Sequence, residues 1–315
     1  MLNFDQGIYA LAPLAGYTDL PFRSLIKKFG ADLTVSEMIS ANALVYNSKK
    51  TFEMLKKSPL EIPYIVQIAG SQPEVIKKAV EILNNIEGID GIDLNCGCPV
   101  PKVVCQNAGS SLLQDLSSLE RIIETIKKYS NKRYTSAKVR LGFNEKIPDK
   151  IAIACERAGA DFLSIHGRTR SGKYKAEVDY EAIARAREAV NIPIIANGDI
   201  ISVQKAHQAR DITGCKSLMI GRGAVGNPWI FYQLKNNLET VSKDKIKEIV
   251  LEHFDNMINF YGKKGATIFR KHLHTYSKGF PQATAFRDRV NRIEDVDKMR
   301  MVIEEFFCTQ GSRKV

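Results

Sequence analysis

Short apolar runs alternate with longer amphipathic stretches from about residue 8 to about residue 226. The apolar runs fall at 8–13, 32–36, 64–69, 91–95, 137–141, 162–166, 193–196 and 217–220. Runs this short and apolar are what strands of a parallel sheet look like when both faces are covered. Between them apolar residues recur at helical spacing over 73–84, 116–129, 150–158, 180–189 and 203–210. Eight units of strand followed by helix or turn within ~220 residues predict an α/β fold of the (β/α)8 TIM-barrel type. A doubly wound sheet generally has fewer strands and reverses their order.

Beyond Trp229 the pattern changes. Residues 243–308 show only helical periodicity, so a catalytic barrel over 1–238 and a C-terminal all-helical domain over 239–315 are expected. Phe269, Leu273, Tyr276 and Phe280 make one apolar stripe, with Arg270, Lys271, His274 and Lys278 on the opposite face. His253 lies among Ile246, Ile249, Val250, Met257 and Phe260, which places it in a core.

In a barrel of this kind the C-terminal strand ends converge on one face. Those ends carry Pro13-Leu14-Ala15-Gly16, Ser36-Glu37, Gln67, Asn95-Cys96-Gly97-Cys98, Lys138 and Arg140, His166-Gly167-Arg168, Asn197-Gly198-Asp199 and Gly221-Arg222-Gly223. Nearly every unit ends in a hydrogen-bonding or ionisable group, which marks a site. The run Ile92-Asp93-Leu94-Asn95 stops at Gly97-Cys98-Pro99, because proline has no N–H for a central ladder. Cys98 is thereby placed in a loop at a strand end, either as a reactive thiol or as a structural one. Gly97 allows a turn or the close approach of a ligand.

The glycine-bearing turns after the seventh and eighth strands suit a phosphate, with Arg222 as a charged donor. Gly221-x-Gly223-x-x-Gly226 also matches a dinucleotide fingerprint, but no further βα unit follows it, so the phosphate reading is kept. With Gln67 and Lys138 on inner strands, a phosphate site fits flavin mononucleotide, whose pyrimidine edge needs donors and a nearby cation. Lys138 is open to two readings, a Schiff-base amine or a cation presented at the rim. His166 is either a ligand-facing or a structural histidine.

Charge sharpens this picture. The net charge of +11 invites a polyanionic partner. Between 263 and 292 the cations Lys263, Lys264, Arg270, Lys271, Lys278, Arg287, Arg289 and Arg292 face a single acid, Asp288, which points to nucleic acid. Cysteines at 96, 98, 105, 155, 215 and 308 form no CxxC pair and no disulfide framework, and the zinc spacing is absent. Reduced thiols, no metal, no membrane span and no signal peptide are expected, hence a cytoplasmic protein. No unused amphipathic element asks for a subunit partner, so a monomer is expected.

Several segments, in fixed order and nearly end to end, resemble the tRNA dihydrouridine synthases. They are Ala12-Pro13-Leu14-Ala15-Gly16-Tyr17-Thr18-Asp19 with Pro21-Phe22-Arg23, Val35-Ser36-Glu37-Met38, Gln67-Ile68-Ala69-Gly70, Asn95-Cys96-Gly97-Cys98-Pro99, Lys138-Val139-Arg140, His166-Gly167-Arg168-Thr169-Arg170, Asn197-Gly198-Asp199-Ile200 and Gly221-Arg222. Arg270-Lys271-His272, Phe286-Arg287 and Asn291 look most like the bacterial DusB branch. The resemblance implies an FMN-containing barrel with a helical tRNA-binding domain, reducing the C5–C6 bond of particular uridines with NADPH or NADH. It implies Cys98 as proton donor and FMN contacts at Pro13, Leu14, Ala15, Gln67, Lys138, Asn197, Gly198, Asp199, Gly221 and Arg222. It places Asn95, His166 and Arg168 near the flavin and the bound uridine; the basic tail adds Arg270, Lys271 and Arg287 as tRNA contacts. Cys96, in the variable place of Asn-x-Gly-Cys-Pro, adds a second thiol.

Overall fold

Eight parallel strands close on themselves: β1 (Tyr9–Leu11), β2 (Leu33–Val35), β4 (Tyr64–Ala69), β5 (Gly91–Cys96), β6 (Tyr134–Arg140), β7 (Phe162–His166), β8 (Ile194–Asn197) and β9 (Ser217–Ile220). A two-residue strand, β3 (Ile39–Ser40), pairs only with the top of β4. Pairing of β1 with both β2 and β9, and of β2 with β4, completes the ring. This computed structural model describes residues 1–173, 175–238 and 243–309. The expected domain boundary at 238/239 adjoins residues outside that set, and residues 310–315 of the expected helical domain also lie outside it.

Alternation along each strand sorts side chains between two cores. Leu11, Val66, Ile68, Ile92, Leu94, Cys96, Val139, Leu163, Ile165, Leu218 and Ile220 point outward against the helices. Ile8, Ala10, Leu33, Val35, Ile65, Tyr134, Phe162, Ile195 and Met219 fill the lower barrel interior. Continuing upward with the same parity gives Gln67, Asp93, Asn95, Ser136, Lys138, Ser164, His166 and Asn197, so the upper interior is polar. Cys96 has the outward parity and is fully buried, which separates the second thiol from the mouth.

Some boundaries move. The fifth run, now β6, extends back to Tyr134, three residues before the periodicity suggests, because Tyr134 and Ser136 share the inward parity of Lys138. The segment 36–64, where no element is expected, holds β3 and the helices Ala41–Val45 and Lys49–Leu55. Both helices are too short to show a periodic signal. Ser40 caps the first of them through its hydroxyl.

Among the described residues the chain from 243 onward is helical: Lys243–Tyr261, Lys264–Tyr276, Ala283–Val290 and Val296–Thr309. The stripe Phe269, Leu273, Tyr276 and Phe280 is buried, and His253 is at 0% exposure, as the periodicity requires. Their core includes Leu25 from the first barrel helix, Leu20–Lys28, and Trp229. The same helix is locked to the barrel through Arg23, whose guanidinium pairs with the buried Glu61 at 2.6 Å and donates to Thr18 O. The helical region is thereby anchored beside the loop that follows β1.

Candidate active site

The C-terminal ends of β4, β5, β6, β7 and β8 bring Gln67, Asn95, Lys138, His166 and Asn197 to one mouth, as adjacent pairings along the sheet require. Cys98 stands two residues past β5 and is half-buried. The oxygen of the Asn95 side chain accepts from the amides of Gly97 (3.2 Å) and Cys98 (2.9 Å), turning the chain out of the strand. Cys98 O accepts from Ser110 N at 3.1 Å, and Gly97 O accepts from Arg140 Nε at 2.7 Å. Gly109 has φ +62°, and a side chain there would stand 2.9 Å from Cys98 O, so the loop is backed by a position that must be glycine. Gly97 has no such constraint. A Cβ there would meet nothing closer than Lys138 O at 3.6 Å, so the space beside Gly97 is open.

Lys138 Nζ donates to Asn197 Oδ1 at 3.0 Å, and Asn197 Nδ2 donates to Met219 O at 2.6 Å. Burial lowers Lys138 to about 8, helped by Arg140 and opposed by Asp93. It therefore remains mainly protonated at neutral pH. Burial, reinforced by Lys138, Arg140, Arg168 and Arg222, drives His166 down to about 2. His166 is thus a neutral hydrogen-bonding group at physiological pH.

Arg168 Nη1 and Nη2 donate to both oxygens of Asp199 at 3.1 and 2.5 Å, and Arg222 Nη2 donates to Oδ1 at 2.7 Å. These bonds hold the Asp199 carboxyl below its usual range. Gly198 (φ +138°) and Asp199 (φ +46°) make the sharp turn after β8. A side chain on Gly198 would stand 2.9 Å from Val178. Arg222 leaves half its side chain exposed beside this turn. Pro13, Leu14 and Ala15 form the loop after β1, where Leu14 N donates to Thr18 Oγ1 at 2.9 Å.

The expected tail contacts are less open than their charge implies. Lys271 Nζ donates to Gly16 O in the β1 loop and lies 5.5 Å from the centre of the Tyr17 ring. Arg270 donates to Ile293 O at 2.8 Å, and Arg287 Nε donates to Ser277 Oγ at 3.0 Å. All three are half-buried, whereas Lys263, Lys264, Arg289 and Arg292 are exposed. Glu37 Oε1 accepts from Gly16 N, and Tyr261 Oη donates to Asp19 Oδ2 at 3.1 Å. The helical region therefore touches the same loop that lines the mouth.

Asp93 and Ser136 receive no role from the sequence, yet both belong to the upper interior. Ser136 Oγ donates to Asp93 Oδ1 at 2.7 Å, and Gln67 Nε2 donates to Asp93 Oδ2 at 2.8 Å. The available signal is parity: Asp93 lies two residues before Asn95, on the same strand face.

The dihydrouridine synthase family model matches residues 10–310. A probable tRNA-dihydrouridine synthase from Helicobacter pylori is 53% identical over 94% of this chain and 91% of its own length. The tRNA-dihydrouridine synthase B of Pseudomonas aeruginosa is 38% identical over 95% of this chain and 92% of its own. The solved structure of histamine dehydrogenase from Rhizobium sp. 4-9 matches with TM-score 0.55 at 10% identity, over 81% of this chain and 50% of that one, a likeness of fold alone. A strand-end cysteine held by its asparagine in a polar barrel mouth, carried on a sequence matched almost from end to end, establishes that this chain belongs to the dihydrouridine synthase family.

Proposed function

We propose that the protein is a tRNA-dihydrouridine synthase that uses FMN, with NADPH or NADH as reductant, to reduce the C5–C6 bond of uridines in tRNA. The observation that carries this is Cys98, held by Asn95 at the mouth next to the strand that bears Lys138. The division into a barrel over 1–238 and a tRNA-binding region over 239–315 belongs to the same reading, as do a monomeric state and a cytoplasmic location.

The residues present fit FMN. Lys138 is a largely protonated cation and Gln67 an amide, both at the mouth; Gly97 leaves room for a ligand; and Gly198, Asp199, Gly221 and Arg222 cluster at the ends of β8 and β9. Pro13, Leu14, Ala15 and Asn197 complete the proposed contacts. When bound, FMN supplies hydride to uracil C6. The chain supplies the proton: the Cys98 S–H bond breaks, a C5–H bond forms, and sulfur keeps the electron pair. His166, neutral at physiological pH, is left to orient the base together with Asn95 and Arg168.

A stacked uridine must be turned out of the RNA at a cost of a few kcal/mol. The cations of residues 263–292, Arg270, Lys271 and Arg287 among them, would offset this through phosphate contacts, so affinity should fall steeply with salt. The test is NADPH-driven formation of dihydrouridine in tRNA by the yellow purified protein, read by nucleoside mass spectrometry. Cys98→Ala should lower turnover by ~100-fold or more, the scale of general-acid catalysis, with flavin retained. Normal turnover in that variant, or a colourless protein that cannot be reconstituted, overturns the proposal.

A further inference from the structure

One buried carboxylate decides how two side-chain amides in the barrel are turned. Asp93 is 4% exposed, Gln67 0% and Asn95 8%. An ionised carboxylate only accepts hydrogen bonds, so it selects the nitrogen end of the Gln67 amide, at 2.8 Å. That choice leaves Gln67 Oε1 to accept from Asn95 Nδ2, at 2.7 Å. Asn95 must then present its oxygen to the loop, where it accepts from the Gly97 and Cys98 amides. Reversing the first amide would set two donors or two acceptors face to face at the next link. Ser136 Oγ, donating to the other Asp93 oxygen at 2.7 Å, fixes the carboxylate.

We infer that Asp93 is a positioning residue, whose carboxylate orients Gln67 and Asn95 and through them holds the loop that carries Cys98. The consequence for catalysis rests on the reading of Cys98 as proton donor; the mechanical claim does not. Asp93→Ala should lower kcat for tRNA reduction by a larger factor than it raises KM for tRNA, because the relay ends on the loop that carries the donor while the phosphate contacts of the tail are untouched.

The six cysteines supply an internal test, read as the alkylation rate of each by iodoacetamide in the full chain as purified, without RNA, using peptide mass spectrometry. Cys98 is half-buried, Cys105 and Cys308 are exposed, and Cys96, Cys155 and Cys215 are buried. Asp93→Ala should speed alkylation of Cys98 about fivefold, the factor by which loss of one ordinary hydrogen bond shifts a held loop toward an open one. Cys105 and Cys308 should keep their rates, and Cys96 and Cys155 should stay unreactive. Asp93→Asn removes the charge but can keep both bonds, with its oxygen toward Gln67 and its nitrogen toward the Ser136 hydroxyl. It should therefore react like the wild type. Equal acceleration in the Asn and Ala variants would make charge the cause and overturn the relay.

Gln67→Met cuts the next link with Asp93 in place and should match Asp93→Ala. The double variant should be no faster than either single one, and additive effects would contradict a relay. If Asp93→Ala also opens Cys96 and Cys155, Gln67→Met decides alone: Cys98 reacting at the wild-type rate in that variant overturns the proposal. A chain that reduced no uridine at all would still give or fail to give this alkylation pattern, so the two readings fail separately.

Discussion

Asp93, Gln67 and Asn95 in the barrel and His253 and His272 in the helical region are all removed from water, yet they are satisfied in opposite ways. The barrel groups form a chain in which every link has a partner of the right polarity. His253 Nδ1 meets Tyr276 Oη at 3.0 Å, but its Nε2 and both nitrogens of His272 have no hydrogen-bond partner among the described residues. The two imidazoles lie 4.6 Å apart and pack against Phe22, Phe269 and Tyr17. They serve as aromatic packing pieces, with the polarity tolerated. In the upper barrel polarity is what the interior is built from. The difference teaches that burial of a polar group has no single meaning; the partner decides it.

The comparison can be broken most forcefully at the joint between the regions. Arg23→Met should destabilise the fold by about 3–5 kcal/mol, because it leaves the Glu61 carboxylate buried without its counter-charge. Urea unfolding would measure this, and a loss under about 1 kcal/mol would show that the pair carries little.

A smaller effect, of opposite sign, is expected at Asp93. Burial raises its carboxyl from 3.8 to about 6, against the bonds from Gln67 and Ser136. A raised acid contributes stability fully below pH 3.8, and that contribution is lost as pH rises through 6. Near neutrality the ionised group costs the fold about 3 kcal/mol. Asp93→Asn should therefore be more stable than the wild type at pH 7.5, with the advantage shrinking toward pH 4. Thermal melts at the two pH values test this, and an equal gain at both would remove ionisation as the cause.

The histidine pair should behave in the reverse sense. Burial lowers His253 to about 3 and His272 well below 6.5, each with a contribution from Lys271. Stability present above pH 6.5 is thus lost as pH falls, by about 2 kcal/mol for His253 between pH 6.5 and 5, and His272 acts in the same direction. His272→Phe keeps an aromatic ring among Phe22, Phe269 and Tyr17 and should flatten the acid limb of a stability–pH curve. An unchanged slope would exclude His272 as a source of acid sensitivity.

The smallest effect on the fold is expected at the exposed cations. Lys263→Glu with Lys264→Glu should change stability by less than about 0.5 kcal/mol. It should nevertheless weaken tRNA binding and reduce its salt slope. Charge reversal at Arg270, Lys271 and Arg287 should instead cost both binding and stability, since these side chains also tie helices or the β1 loop together. Parallel melting and filter-binding measurements would separate the two sets of cations.

Much of this was present in the chain itself. Eight apolar runs separated by helical stretches determined the barrel, because strand length and helix period are local properties. Pro99 after an apolar run determined that Cys98 leaves the strand, and the stripe from Phe269 to Phe280 determined which face of the tail is buried. Only the tertiary structure decided the partners. Gln67 meets Asp93 across 26 residues of chain, and Lys271 meets Gly16 across 255. Nothing in the sequence near Lys271 distinguishes a cation aimed at phosphate from one spent on a carbonyl. Nothing near His272 says that its nitrogens are buried without bonds. Periodicity is written residue by residue, whereas hydrogen-bond partners and burial depend on which distant segments the closed barrel brings together.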